Sequence, residues 1–413
     1  MDPIDSTSLE PVRAGSRSAN KGRLTLEVSG LYLSLYLHYG FVAFLPLWLK
    51  ATGASPQEIG VLMAIPLVLR LVTVAPFSAW AGRHARVRDA IALTALGSAA
   101  VVLLLLGEPA HAGRIAIVIV FSIVWDQIPV LTDAYAVMAS RTHALDFGRL
   151  RVWGSIGVVL SNAAAGWAIG FAGIKLLPVL IAAVLMLPVI VALLLPHDKQ
   201  LAPAEEAKPG RWQDVLRDHS LLKAMAAASL VMGSHGVLTS FSAIQWAARG
   251  ISTGVIGMLQ ALAVSAEILS FWFGVKLLGK RDPSLLICAG AIAAMLRWLI
   301  MAANPGLPVL IGAQLINGIS ATGTILGIML VITKRVPSSL SAAAQGMNAV
   351  LLGAVLAIST AGSGLLWSYG TASAYGAMAV LAGLGAIVAW AAKSSQSDSN
   401  YPDNLSAIGV KPR

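Results

Sequence analysis

The sequence predicts an all-α integral membrane protein, with twelve transmembrane helices in two pseudo-symmetric six-helix bundles. Three observations carry that expectation. Only 12% of the 413 residues are charged and 57% are hydrophobic, with a mean hydropathy of +0.77; soluble globular chains are roughly one-quarter charged. Apolar runs of about 20 residues, the length a helix needs to cross a bilayer, recur along nearly the whole chain. Lipid offers no partner for backbone polar groups, so runs of this length select helices over a β-barrel. Finally, the chain contains one stretch twice. Residues 38–84 lie on residues 235–281 without a gap: His38 falls on His235, Gly53 on Gly250, Ser55 on Ser252, Ile59-Gly60 on Ile256-Gly257, Arg70 on Glu267 and Arg83-His84 on Lys280-Arg281. The offset is close to half the chain, which marks one large duplicated unit, and parallel membrane repeats of this kind are a transporter signature.

Residues 1–23 are polar, carry Arg13, Arg17, Lys21 and Arg23, and are expected to form a disordered cytoplasmic tail. No cleavable signal is expected, because the first apolar run is too long and leads into further spans. The N-terminal bundle is placed at residues 24–196, with spans at about 24–49, 57–82, 89–107, 114–140, 149–171 and 174–196. Residues 197–220 are rich in Lys, Arg, Glu, Asp and Pro and form a polar linker. The C-terminal bundle follows at 221–392, with spans at about 221–247, 254–279, 284–303, 308–334, 341–366 and 370–392, then a polar tail at 393–413. The single cysteine, Cys288, excludes an intrachain disulfide framework and a cysteine-based metal site.

A net charge of +10 could suggest nucleic acid, but its distribution argues against that. One side of the predicted topology collects both tails, the linker, Arg83/Arg86/Arg88, Arg141/Arg149/Arg151, Lys276/Lys280/Arg281 and Lys334/Arg335. The other holds only Lys50, Arg114, Lys175 and Arg249. Basic loops stay in the cytoplasm, so both termini are expected there, in the plasma membrane of a bacterial-type cell.

Ionisable groups inside a bilayer cost several kcal/mol, so they face a bundle interior or a water-filled cavity. Arg70 lies about thirteen residues into the second span and Glu267 equally deep in the eighth. At ~1.5 Å rise per residue, both reach roughly the midplane. One reading makes Arg70 a substrate-binding cation and Glu267 a proton carrier; the other makes them structural charges, with Glu267 paired to Arg297 on the next span. Asp126 and Asp133, seven residues apart, share one helix face. Asp126, between Trp125 and Gln127, suits a pocket with an aromatic wall and is a second candidate proton carrier. Asp133 suits a charge pair with Arg149 or Arg151. His38 and His235, at matching repeat positions, are candidate substrate contacts or interhelical hydrogen bonders. Neither has a further ligand at metal spacing, so no metal is expected. Tyr36/Tyr39 and Trp246/Trp272 read as pocket walls or interfacial belt residues, with the belt favoured. No phosphate-binding glycine loop is present, so no nucleotide or other cofactor is expected.

Leu131-Thr132-Asp133-Ala134, followed by the run from Asp146 to Ser155 (Asp-Phe-Gly-Arg-Leu-Arg-Val-Trp-Gly-Ser), is more specific. It resembles the major facilitator superfamily, in the phenylpropionic-acid-permease branch related to lactose– and nucleoside–proton symporters. Phe44-Leu45-Pro46, Trp48-Leu49-Lys50, Gly233-Ser234-His235, Ala266-Glu267-Ile268, Arg297-Trp298 and Gln314-Leu315 continue the likeness through all twelve spans. The resemblance implies a two-bundle major facilitator fold, alternating access and proton symport of a small organic acid. Departures fall where substrate should sit. Val237-Leu238-Thr239 stand in place of paired tyrosines. Asn317 and an apolar residue near Ile325 replace tenth-span histidines, and Gly82-Arg83-His84 lacks the usual acid. Asp126 and His38 lie outside the shared pattern.

The expected function is therefore a secondary transporter that carries a small organic solute, aromatic or carboxylated, with protons, as a monomer in the bilayer. The alternative within transport is a proton-driven exporter. A membrane-embedded enzyme would need a catalytic cluster that the isolated basic loops do not offer, and a transport-dead sensor would need an added signalling domain. The charge count generates a direct test. Reporter tags at either terminus or at residue 205 should be cytoplasmic, and a tag near Glu108 external; an external signal at residue 205 would overturn the span assignment.

Overall fold

The computed structural model describes residues 10–84, 86–197, 216, 218–278 and 281–394. These residues form fifteen α-helices: α1 (Glu10–Val42), α2 (Leu45–Ala51), α3 (Pro56–Arg83), α4 (Val87–Leu103), α5 (His111–Trp125), α6 (Gln127–His143), α7 (Phe147–Ala172), α8 (Leu177–Leu194), α9 (His219–Gly233), α10 (Gly236–Ala248), α11 (Thr253–Leu278), α12 (Pro283–Ala302), α13 (Leu307–Arg335), α14 (Ser338–Trp367) and α15 (Thr371–Ser394). Twelve segments are long and apolar enough to cross a membrane, because α1–α2, α5–α6 and α9–α10 each make one interrupted span. Large apolar side chains line the outside, among them Phe171, Leu277, Ile358 and Ile387. A bilayer, not water, is the solvent that accommodates such a surface.

Local chemistry sets the helix ends. Asp146, Asp218 and Asp282 cap α7, α9 and α12 by accepting backbone N–H bonds, Asp282 from Ser284 at 2.8 Å; each satisfies donors that a helix start leaves open. The break between α5 and α6 follows from Pro129. Its missing N–H cannot reach the carbonyl of Trp125 four residues back, and Asp126 falls at the resulting turn.

The duplicated stretch has duplicated geometry. Gly53 and Gly250 both adopt left-handed backbone, with φ of 88° and 78°. Gly53 N–H bonds to Lys50 and Ala54 N–H to Leu49; Gly250 N–H bonds to Ala247 and Ile251 N–H to Trp246. These are two copies of one glycine-terminated helix end, which only glycine adopts without strain. Ser55 and Ser252 then accept from Glu58 and Val255 N–H and start the next helix in each copy.

The chain divides into two compact units, residues 1–48 with 69–206 and residues 49–68 with 207–413. Within the first, the first span packs on the fifth and sixth, and the third on the fourth and sixth. Within the second, the seventh packs on the eleventh and twelfth, and the ninth on the tenth and twelfth. The same neighbours recur, six spans later. Residues 49–68, inside the expected 24–196 bundle, group with the second unit. Glycine makes that possible: a Cβ on Gly60 would lie 2.9 Å from Gly364 Cα. Within the expected tail at 1–23, α1 already begins at Glu10. The remaining tail and linker assignments, at 1–9, 198–215, 217 and 395–413, lie outside the described residues.

Small residues also fix distances inside the second unit. A Cβ on Gly318 would come within 2.5 Å of Ala266 O, and one on Gly290 within 2.8 Å of Ser320 O. Without side chains to hold them apart, α11 and α12 both close onto α13. Gly318→Ala should therefore lower the melting temperature in detergent, in keeping with an overpacking cost of about 1–3 kcal/mol. Gly312→Ala on the same helix meets nothing within 4 Å and should leave it unchanged or raise it; equal effects would refute the close-packing account.

Candidate functional site

The first unit gathers its polar and aromatic residues along α1. Tyr32, Tyr36 and Tyr39 are spaced by four and three residues, so they form one stripe on that helix. Tyr36 and Tyr39 stack at 5.1 Å, and Tyr39 lies 5.4 Å from the Trp125 ring. The stripe sits inside the bundle, not in an interfacial belt. Gly154 and Gly157 of α7 explain why: Cβ atoms there would meet Tyr36 at 2.9 and 3.1 Å, so the helix recedes to admit the ring. Trp246 is likewise fully buried, whereas Trp272 stays exposed.

His38 is fully buried. Trp125 Nε1–H donates to its Nε2, and its Nδ1 contacts the carbonyl of Leu35. An indole nitrogen only donates, so Nε2 must be bare and Nδ1 must carry the proton, which it gives to that carbonyl. Both ring nitrogens are occupied by protein groups, so of the two roles read from the sequence the geometry matches the interhelical hydrogen bonder, a brace for Trp125. Asp126 is also buried, with Oδ2 lacking a hydrogen-bond partner. Arg70 is exposed, forms no ion pair among the described residues, and acts electrostatically on Asp126 and Tyr39. An exposed guanidinium at mid-span needs water or polar solute beside it rather than lipid. Arg70, Trp125 and Asp126 therefore share one neighbourhood.

At one end of that stripe, Asp133 of α6 receives two donors. Arg151 Nη1 approaches Oδ1 and Oδ2 at 2.5 and 2.6 Å, and Tyr32 donates to Oδ1 at 2.7 Å. Of the two arginines considered for Asp133, Arg151 takes the place. Arg149 points elsewhere and lies 3.4 Å from Asp146, both side chains exposed.

The second unit gathers its polar residues around Arg297, which is fully buried. Its Nη1 donates to Asn317 Oδ1 at 2.6 Å and its Nη2 to Gln314 Oε1 at 2.8 Å, while the guanidinium lies 4.9 Å from the Trp298 ring. Thus Arg297 is held by two neutral amides and an aromatic face, not by Glu267, which was the structural alternative. Asn317 is the hub: it also interacts with Glu267 and with His235. The Gly318–Ala266 approach places Asn317 and Glu267, each one residue away, side by side. Glu267 is half-buried and makes no ion pair among the described residues. His235 packs edge-on to Trp298 at 5.0 Å, with Nε2 buried and lacking a partner. Tyr375 Oη, near Arg297, is in the same condition.

Sequence reasoning did not assign roles to Tyr32, Gln314, Trp298 or Tyr375. The four-and-three spacing could have revealed Tyr32; Gln314 lies three residues before Asn317, hence on its face. No group of three or more potential metal ligands occurs among the described residues.

Charges kept inside membrane spans, on discontinuous helices in a duplicated fold, belong to proteins that move solutes. The fold and these clusters define a multi-pass membrane transporter, not an enzyme. The MFS_1 like family matches residues 26–377, and the chain belongs to it. It is 29% identical over 364 residues to the "Probable 3-phenylpropionic acid transporter" of Escherichia coli (strain K12), covering 85% of this chain and 93% of that one. Two solved structures share the fold. The nucleoside transporter NupG aligns with a TM-score of 0.73 at 16% identity, over 91% of this chain and all of that one (100%). A bacterial homologue of the human lysosomal transporter Spinster, inward-facing and unoccupied, aligns with a TM-score of 0.74 at 14% identity, over 93% and 99%.

The Asp133 geometry generates a test. Asp133→Arg and Arg151→Asp should each abolish most transport, and the two together should recover part of it. A double variant no better than the singles, with normal membrane insertion, would show that the residues act independently.

Proposed function

We propose that this transporter carries a small aromatic carboxylate into the cell together with protons, by alternating access. It works as a monomer in the bacterial plasma membrane with both termini cytoplasmic, and the proton gradient is its only energy source. The observation that carries the reading is Glu267: a carboxylate within a membrane span, without an ion pair among the described residues, beside a guanidinium already held by Asn317 and Gln314. A structural charge would be expected to pair with that guanidinium; a proton carrier must be able to give its proton up and take it back. Low-dielectric surroundings favour a neutral carboxyl, whereas water or a nearby cation favours the ionised form. If the pathway opens to one side and then the other, those surroundings alternate, and Glu267 loads outside and unloads inside.

The choice of solute rests on two supports. The Escherichia coli relative is named for 3-phenylpropionic acid. Arg297 retains a full charge that neutral amides solvate but do not cancel, and a solute carboxylate supplies the missing counter-charge. Binding that favours the same occluded state as protonation couples the two flows. Asp126, also lacking a hydrogen-bond partner at Oδ2, is the second carboxylate available for protons.

Glu267→Gln imitates the permanently protonated form. In proteoliposomes it should abolish 3-phenylpropionate accumulation driven by a pH gradient while exchange at equal concentrations survives. Normal pH-driven accumulation by the variant would eliminate the carrier role, and loss of both activities with loss of folding would favour a structural one.

A further inference from the structure

A pocket lies in the second unit, its wall Trp367 touching Tyr375 at the edge of the Arg297 cluster. It encloses about 280 Å³ where the ends of five spans meet. Lys50 comes from the end of α2, Gln245 and Arg249 from the end of α10, and Asn304 from the turn between α12 and α13. Trp367 comes from the end of α14 and Thr371 from the start of α15. Basic residues are scarce on this side of the topology, with Lys50 and Arg249 two of the four counted there. Both border this one cavity, and its lining contains no carboxylate.

The remaining walls are specific. Trp367 is fixed by stacking on Phe241, with centroids 4.6 Å apart, and by an edge contact with Tyr375 at 6.3 Å. A flat apolar group can lie against such an immobilised face. Arg249 uses Nη1 on the carbonyl of Pro305 at 2.6 Å, which orients the guanidinium and leaves other N–H donors for a ligand. Gln245 is 4% exposed and hydrogen-bonded to Asn304 at 3.0 Å, yet its second amide atom is buried with no partner. Turning both amides over preserves their mutual bond and presents the Gln245 N–H donors instead. Asn304 holds its place in left-handed backbone, with φ of 53°, a conformation that asparagine tolerates better than most residues.

We infer that this pocket is an entry site for a small aromatic carboxylate, which the cations of Lys50 and Arg249 and the Gln245 amide hold by its anionic end, with its ring against Trp367. The cavity is near the lower end of small-ligand sites, about 300 Å³, and so fits one ring with a short acidic chain. Placing it on the outer face rests on the charge-count topology, and its cargo rests on the transport reading above. The site raises the local concentration of anion at the mouth, so its loss affects capture rather than turnover.

The test uses full-length protein and 3-phenylpropionate, with 3-phenylpropionamide as the uncharged control. Equilibrium binding should show carboxylate, but not amide, retained by a site that survives Arg297→Gln and is lost in the Lys50→Gln/Arg249→Gln pair. That pair should raise KM for uptake roughly ten- to hundredfold, as expected for lost charge-assisted hydrogen bonds, with kcat unchanged. Lys50→Arg should restore most of the affinity, which separates charge from folding. Trp367→Leu should weaken carboxylate binding while leaving the dependence on Lys50 and Arg249. A lipid phosphate could meet the same cations, so binding is compared in nanodiscs with and without phosphatidylglycerol; displacement of the probe by that lipid would overturn the inference in favour of a headgroup site. Unchanged binding and KM in the charge-removed pair would overturn it outright. Carboxylate binding that depends on Lys50 and Arg249, without any uptake of the probe, would uphold the pocket and refute the transport reading for this solute.

Discussion

A fully buried guanidinium, that of Arg297, governs the second unit. Removing such a charge from solvent costs several kcal/mol unless fixed dipoles replace the lost hydration. Arg297 obtains that replacement from Asn317, Gln314 and the Trp298 face. Those partners lie on α13 and on α12 itself, so the two helices must approach closely, and Gly290 and Gly323 are what permit it. Gly318 then draws in α11 and with it Glu267. The position of the Glu267 carboxylate is thus a by-product of solvating the neighbouring cation.

The first unit meets a comparable problem differently. Its repeat counterpart of Glu267 is Arg70, which is exposed where Glu267 is half-buried. The counterpart of the half-buried His235 is the fully enclosed His38, whose two nitrogens are both spent on protein. The turns that follow these histidines are nearly superimposable in hydrogen bonding, down to the glycines. Duplication preserved what the backbone requires and released what the side chains do. One half keeps an open cation and an aromatic stripe, the other a closed cation and an ionisable acid.

Most of the architecture was legible in the chain because a bilayer leaves few alternatives. Long apolar runs are helices there, and the twelve spans fall where hydropathy places them. The Asp133–Arg151 contact was legible as well, since both residues sit near a turn that joins successive spans. The structure departs from the sequence reading where the outcome depends on tertiary distance. His38 reads as a polar residue available to solute, and only the approach of Trp125 from the fourth span shows it to be engaged. Glu267 and Arg297 read as a natural pair of opposite charges on neighbouring spans, but Asn317 on a third helix stands between them. The grouping of residues 49–68 with the second unit depends on two glycines, Gly60 and Gly364, more than 300 positions apart, a separation across which no periodicity extends.

The interruption at Asp126 bears on how such a protein is made tractable. Pro129 deprives the fourth span of a backbone bond, so a simple exchange for alanine would tighten the helix and improve its behaviour during purification. A laboratory that ranks variants only by thermal tolerance would therefore collect changes that restore this backbone bond, and stability gained where activity needs flexibility commonly trades against activity. The same interruption falls at Trp125 and Asp126, where Trp125 meets Tyr39 of the aromatic stripe. Selection for robustness and selection for turnover would thus pull this one proline in opposite directions.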